Sequence, residues 1–118
     1  MRGFAEALAR GDFAAMNGML AENAELIGDG GGIVPSFGKP LRGSRRIAQL
    51  YYATHLRFGS GVRVELAMVN GESALLRFID GVLESAQSYE TDGEHITRIH
   101  VQRNPEKLAR LAAALQGR

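Results

Sequence analysis

The tightest constraint on the fold is a set of evenly spaced turn signals in the second half of the chain. Asn70-Gly71, Asp80-Gly81 and Asp92-Gly93 recur at about ten-residue spacing, and X-Gly pairs between strand-like runs are strong hairpin signals. Before the first of them, Val62, Val64, Leu66 and Met68 alternate with Arg63, Glu65 and Ala67, the period of two that gives a strand one apolar face. Residues 73–79, 82–91 and 95–103 supply three further runs. Strands joined by such short turns pair antiparallel, so the spacing predicts a four-strand meander.

The first half reads as helices. Residues 3–10 and 12–21 form two short helical patterns, with Phe4 and Leu8 on one face of the first and Phe13, Met16 and Leu20 on one face of the second. Gly11 is suited to end the first and Asp12 to cap the second. Residues 24–28 look like a short strand, and residues 33–43, with Pro35, Gly38, Pro40 and Gly43, like loop or irregular edge strand. Ser44 is a good N-cap for a helix over 45–58, which Gly59-Ser60-Gly61 breaks. Near the end, Asn104 caps, Pro105 takes the first helical position and Glu106 sits in the first turn. Leu108, Leu111, Ala112 and Leu115 then make an apolar stripe that packs on the sheet. The order helices, strand, loop, helix, meander, helix is α+β. No repeat, low-complexity tract or linker divides residues 1–118, so one domain is expected.

Composition narrows the function classes. The chain has 118 residues and a net charge of +1, so bulk charge gives no argument for nucleic acid. Cysteine is absent, which removes disulfides and thiolate metal sites. No apolar run reaches the roughly 20 residues of a membrane span, and the N-terminus lacks a long apolar stretch. The expectation is a cytoplasmic protein with no membrane contact. Between Asp29 and Glu65 there is no acid, while Lys39, Arg42, Arg45, Arg46, Arg57 and Arg63 all fall there. Arg42, Arg45 and Arg46 are read as a basic patch, either balanced by acids elsewhere on the surface or facing an acidic partner. Arg45 and Arg46 oppose the dipole in the first turn of their helix.

Glu25-Leu26-Ile27-Gly28-Asp29-Gly30-Gly31-Gly32-Ile33 invites a phosphate-cradle reading, which fails. A dinucleotide fingerprint starting at Gly28 needs glycine where Ile33 stands, and a P-loop needs Gly-Lys-Ser/Thr where the chain has Gly38-Lys39-Pro40. His55, His95 and His100 lack metal-ligand spacing, so no metal and no cofactor are expected. A curved sheet with helices on its concave side nevertheless encloses a cavity, in which Asp29 or His100 is a candidate base, Tyr51 or Tyr89 a candidate donor, and Arg98 a further candidate. For each, a role as a hydrogen-bonded core or rim residue competes with the catalytic one, since spacing alone does not bring them together.

Three stretches in this element order resemble a known family. Asp29-Gly30-Gly31-Gly32, Val69-Asn70-Gly71-Glu72-Ser73-Ala74 and Asn104-Pro105-Glu106-Lys107-Leu108 together look like the SnoaL-like domain of the nuclear transport factor 2-like superfamily. They are most similar to the C-terminal extension of extracytoplasmic-function (ECF) sigma factors. The resemblance implies a cone-like α+β barrel, a curved antiparallel-rich sheet with helices packed on its concave side. It implies a regulatory domain without catalysis that contacts the helical domains of its own sigma factor and adjusts binding to core RNA polymerase. DNA contact would belong to those helical domains, which are absent from these 118 residues. The chain is thus expected either to be the C-terminal part of a longer sigma factor or to be free-standing. Two departures stand out: Ile33 replaces the family's usual basic residue, and Glu106 its usual Asp. The alternative is a small-molecule binder or an isomerase- or cyclase-type enzyme with a pocket in the cone, using Asp29 or His100 with Tyr51 or Tyr89. Homodimers are common in the superfamily and remain open here.

Overall fold

The computed structural model describes residues 2–29, 40–69 and 71–116. Helix α1 (Arg2–Arg10) and helix α2 (Phe13–Met19) lead into strand β1 (Leu20–Asp29). Edge strand β2 (Leu41–Arg42), helix α3 (Ser44–Phe58) and one 3-10 turn (Gly59–Gly61) follow. The meander is β3 (Val62–Val69), β4 (Glu72–Ile79), β5 (Val82–Thr91) and β6 (Ile96–Gln102), closed by helix α4 (Pro105–Gln116). One six-stranded sheet has the order β2-β1-β6-β5-β4-β3. The four meander strands pair antiparallel, while β1 runs parallel to β6.

The turn signals do what their chemistry dictates. Ile79 pairs with Val82, and the two residues between them, Asp80 and Gly81, have φ of 51° and 83°. Two left-handed residues in a two-residue loop match the twist of the flanking strands. Val69 pairs with Glu72 across the first turn; its Asn70 lies outside the described residues. After β5 the connection is longer, and Asp92 Oδ1 accepts the amides of Glu94 and His95 at 2.9 and 2.8 Å. Those amides hold the Asp92 carboxyl below its ordinary range. His95 belongs to this connection rather than to β6.

Three local expectations change. The second helical pattern stops at Met19, and β1 begins at Leu20 rather than at residue 24. Leu20 pairs with Ile96 and is buried with Ala24 and Leu26, so sheet pairing and burial override local helical pattern. Asp12 caps α2 as expected, accepting Ala15 N–H at 3.1 Å. Ser44 is instead the first residue of α3; the cap position belongs to Gly43 at φ 105°, with no side-chain cap bond. Gly43 N–H donates to Ala24 O at 2.9 Å, tying the helix entry to β1.

Alternation along the strands sorts the sheet into two faces. Leu26, Leu75, Gln87, Tyr89, Ile99 and Val101 face α1–α3, which fill the concave side and share one core with them. Phe4 is its centre, edge-on to Tyr51 and Tyr89 at ring distances of 5.6 and 5.4 Å, contacts worth about 0.5–1.5 kcal/mol each beyond burial. The next residues in register, Leu76 and Ala86, face the other way. There α4 lies over the sheet with Leu108 buried, while Leu111 and Ala86 share a groove. So three helices occupy the concave side and the fourth the opposite face.

Candidate functional site

The sheet separates two concavities. The first is the mouth of the cone, a cavity of about 440 Å³ between the end of α3 and strands β1, β4, β5 and β6. Its walls are apolar at Leu26, Leu50, Phe58, Ile79 and Val101. Its polar groups form two connected sets.

In the first set Gln87, fully buried on β5, collects two phenols. Tyr51 OH donates to its Oε1 at 2.7 Å and Tyr89 OH to the same oxygen at 3.1 Å. The amide's Nε2 donates to Ser85 Oγ at 3.0 Å. Burial pushes the Tyr51 hydroxyl well above its ordinary pKa, against the opposing charge of Arg77. Burial raises Tyr89 as well, with Tyr51 adding to the effect. Both phenols therefore stay neutral donors, and their protons are committed to Gln87.

In the second set Arg77 grips Glu84 with two bonds, Nε to Oε1 at 2.8 Å and a terminal nitrogen to Oε2 at 3.1 Å. Arg103 Nε approaches the same carboxylate at 3.2 Å. Burial raises the Glu84 pKa, but the hydrogen bond and charge of Arg77, with help from Ser85 and Arg103, outweigh it and leave the carboxyl below its ordinary value. Glu84 owes its place to a bulge. Arg77 pairs with Ser85 and Phe78 with Leu83, so Glu84 is the extra residue that strict alternation would have turned outward.

The second concavity is a groove of about 930 Å³ on the opposite face, between the sheet and α4. Its floor is small: Ser73, Ala74, Ala86 and Ser88. Val69, Glu72, Lys107, Arg110 and Leu111 line its sides. Ile27, also in the lining, lies two residues before Asp29 on β1. Asn104, which leads into α4, accepts Glu106 N–H on its Oδ1 at 3.0 Å, the cap the sequence predicts.

The expected site residues divide between these places. Tyr51 and Tyr89 do meet, through Gln87. His100 does not join them. It faces away from the cone, lines the groove, and its Nε2 lies 2.7 Å from Glu90 Oε2, a contact that lowers the Glu90 pKa. The cause is register: His100 pairs with Ile27 and Ser88, on the face opposite Ile99 and Val101. Arg98 lies on that same outer face and bridges Glu25 and Glu90 at 3.6 and 3.3 Å. The backbone of Asp29 ends β1 opposite Gln102; its side chain and Gly30, Gly31 and Gly32 lie outside the described residues. Arg42 on β2 and Arg45 and Arg46 in the first turn of α3 are exposed, and Arg42 pairs with Glu25 at 3.4 Å. Neither Arg45 nor Arg46 has an acidic partner among the described residues. No cluster of three or more metal-ligating side chains occurs among the described residues. No helix among them is long and apolar enough to cross a membrane.

The residues that sequence reasoning missed are Arg77, Glu84, Gln87 and Arg103. Two signals were available: an arginine inside the apolar run Ala74-Leu75-Leu76-Arg77-Phe78-Ile79, and the polar row Ser85, Gln87, Tyr89 at period two. The bulge that adds Glu84 had no sequence signal.

No family model matches the chain, and no curated protein matches it in sequence. The likeness is structural. The extracytoplasmic function sigma factor SigJ of Mycobacterium tuberculosis superposes with a TM-score of 0.70 at 19% identity, over 90% of this chain and 41% of that one. A SnoaL-like protein of unknown function from Burkholderia thailandensis gives 0.64 at 15% identity, over 85% and 87%. This chain has the SnoaL-like, nuclear transport factor 2-like fold. A Mycobacterium tuberculosis epoxide hydrolase of the LEH-like kind shares it at a TM-score of 0.53 and 20% identity, over 99% and 92%. The SnoaL-like chain spans well under half of SigJ, so the likeness concerns one part of that sigma factor.

Proposed function

We propose that this SnoaL-like domain is the C-terminal regulatory module of an ECF-type sigma factor, docking on that protein's helical domains and adjusting its binding to core RNA polymerase. The supporting observation is where the second and third motif stretches fall, beside the strand that leads to the first, whose glycines lie outside the described residues. Val69, Glu72, Ser73, Ala74 and Lys107 line one groove, and β1 passes Ile27 in the same groove on its way to Asp29. Segments more than 30 residues apart in sequence thus share one concave surface, and none of these described residues lines the cone. A small-residue floor lets another chain's backbone or side chains approach closely. The overlap with SigJ supports the same reading.

The test is transcription with the domain in its full-length protein. Asp29→Ala and Ser73→Trp are expected to change polymerase binding or promoter activation. Unchanged transcription from both variants, with the domain folded, would remove the docking role.

A second reading has its own observation: the cone is open and lined by both apolar and polar groups, the makeup of a small-molecule binding site. Binding is better supported than catalysis. The cavity's one acidic side chain among the described residues, Glu84, is held charged by two arginines, which weakens it as a base. His100 faces the other side of the sheet.

A further inference from the structure

We infer that the exposed face of α3 is a docking surface for an acidic amphipathic helix supplied by another chain, with apolar residues against Tyr52 and Leu56 and carboxylates against Arg45 and Arg46. This goes beyond the docking role of the groove and does not depend on it, since α3 lies on the concave side of the sheet and the groove on the other.

The pattern along the helix is the first observation. Ile47, Ala48 and Tyr51 are buried in the core. Arg45, Gln49, Tyr52 and Leu56 follow one another at intervals of four, three and four residues and are all exposed. That spacing makes one stripe along the side away from the core, about 16 Å or three turns long. Arg46 flanks it. The stripe carries apolar surface open to solvent: Tyr52 is 37% exposed and Leu56 66%. Tyr52 is also held in place, edge-on to Phe13 with ring centroids 6.1 Å apart and stacked on His55 at 6.5 Å. A fixed aromatic ring loses little freedom when a partner covers it, which suits it to be an anchor.

Charge is the second observation, and it selects the occupant. The 15 residues of α3 include no Asp or Glu. Of the arginines around its start, Arg42 is balanced by Glu25, whereas Arg45 and Arg46 meet no carboxylate among the described residues. Both oppose the dipole in the first turn, so their charge gains nothing from the helix that carries it. Duplex nucleic acid would satisfy the arginines but leave Tyr52 and Leu56 against a polar backbone. A second copy of the same face fits no better. Parallel, it sets arginine against arginine; antiparallel, it sets the arginines against Leu56; neither brings a carboxylate. A neutral helix would cover the apolar half and leave both arginines unpaired. An acidic helix with apolar residues three or four apart meets both halves at once.

The experiment is a titration of the isotope-labelled protein with three hydrocarbon-stapled helical peptides about five turns long, followed by amide chemical shifts. The first peptide carries leucines on one face at intervals of three and four, flanked by glutamates. The second has lysines in place of the glutamates, and the third keeps the glutamates but has serines in place of the leucines. The first is expected to saturate, to move Gln49, Tyr52, Ala53 and Leu56, and to bind about tenfold or more tighter than either of the others, the scale of charge-assisted contacts and of a buried apolar anchor. Arg45→Glu combined with Arg46→Glu should reverse the order of the first two peptides. Both positions are exposed and glutamate suits a first turn, so the variant keeps its fold. Leu56→Ser, also at an exposed position, should by itself weaken the first peptide about tenfold. Equal affinity of the first and second peptides would overturn the acidic partner. Equal affinity of the first and third would make the face a general polyanion surface and overturn the amphipathic helix. Shifts confined to the groove or the cone, or none with any peptide, would overturn the docking surface itself.

Discussion

On the concave side, β5 presents Gln87 to the cone, where it is bonded to Tyr51 and to its neighbours Ser85 and Tyr89 on the same strand. On the other side the same strand presents Ala86 and Ser88 to a groove whose floor offers little to bond. The two faces differ in what their residues are for. In the cone, neighbours inside the domain account for Gln87 and Glu84: each would be costly to bury without its partners. In the groove, Ser73 makes a weak bond to the Met68 sulfur at 3.7 Å from an exposed position, and the small residues Ser73, Ala74 and Ser88 leave room for something outside the domain. Chemistry-bearing side chains are thus no guide by themselves to where a partner binds.

The comparison can be broken from either side. The largest effect is expected from Arg77→Met. It leaves Glu84 mostly buried with Arg103 as its remaining cationic partner among the described residues, and breaking such a pair costs about 3 kcal/mol or more. Urea unfolding would read that loss. A change near zero would mean the pair is solvated and the cone less enclosed than described. Next is Gln87→Leu, which strands two buried phenols and the Ser85 hydroxyl, for about 2 kcal/mol on the same scale. Tyr51→Phe should cost less, about 1 kcal/mol, because Gln87 keeps Tyr89 as a donor.

In the groove the sign of the comparison reverses. Ser73 is exposed, so Ser73→Trp should change stability by no more than about 0.5 kcal/mol. It should nonetheless weaken docking at least tenfold, about 1.4 kcal/mol, measured as binding to the helical domains. Stability loss without docking loss would place the groove with the cone as ordinary packing. The smallest effect concerns pH. Glu84 has a folded pKa below its ordinary 4.5, so the folded state binds fewer protons there than the unfolded one. Its contribution is fully present above that value and is lost as pH falls through the folded pKa. Unfolding free energy plotted between pH 6 and 2 should fall less steeply in Glu84→Gln than in the natural chain.

Much of the fold was legible because it is local. Asp80-Gly81 sets its own turn through backbone angles, and Asn104-Pro105 starts α4 through a cap and a missing N–H. Helix α2 was misjudged at its end because Leu20 gains more by pairing with Ile96 and being buried than by adding a helical turn. The site was less legible. His100 and Tyr89 lie on neighbouring strands, yet one residue of register puts them on opposite faces. Glu84 reaches the cone through a bulge, which no periodicity announces. The convergence of Val69, Glu72, Ser73 and Ala74 with Lys107 needs the strand order and the placement of α4 on the outer face, neither of which the pattern of apolar residues specifies.

The central claim is that the groove, and not the cone, meets the rest of a sigma factor. Amide hydrogen exchange tests it most directly, comparing residues 1–118 alone with the same residues in the full-length protein of the host. The account predicts added protection at residues 71–74 and 106–111, with exchange around Tyr51 and Thr54, which line the cone and not the groove, unchanged. Protection confined to the cone, no change at the groove, or a full-length protein without helical domains to dock on would contradict it.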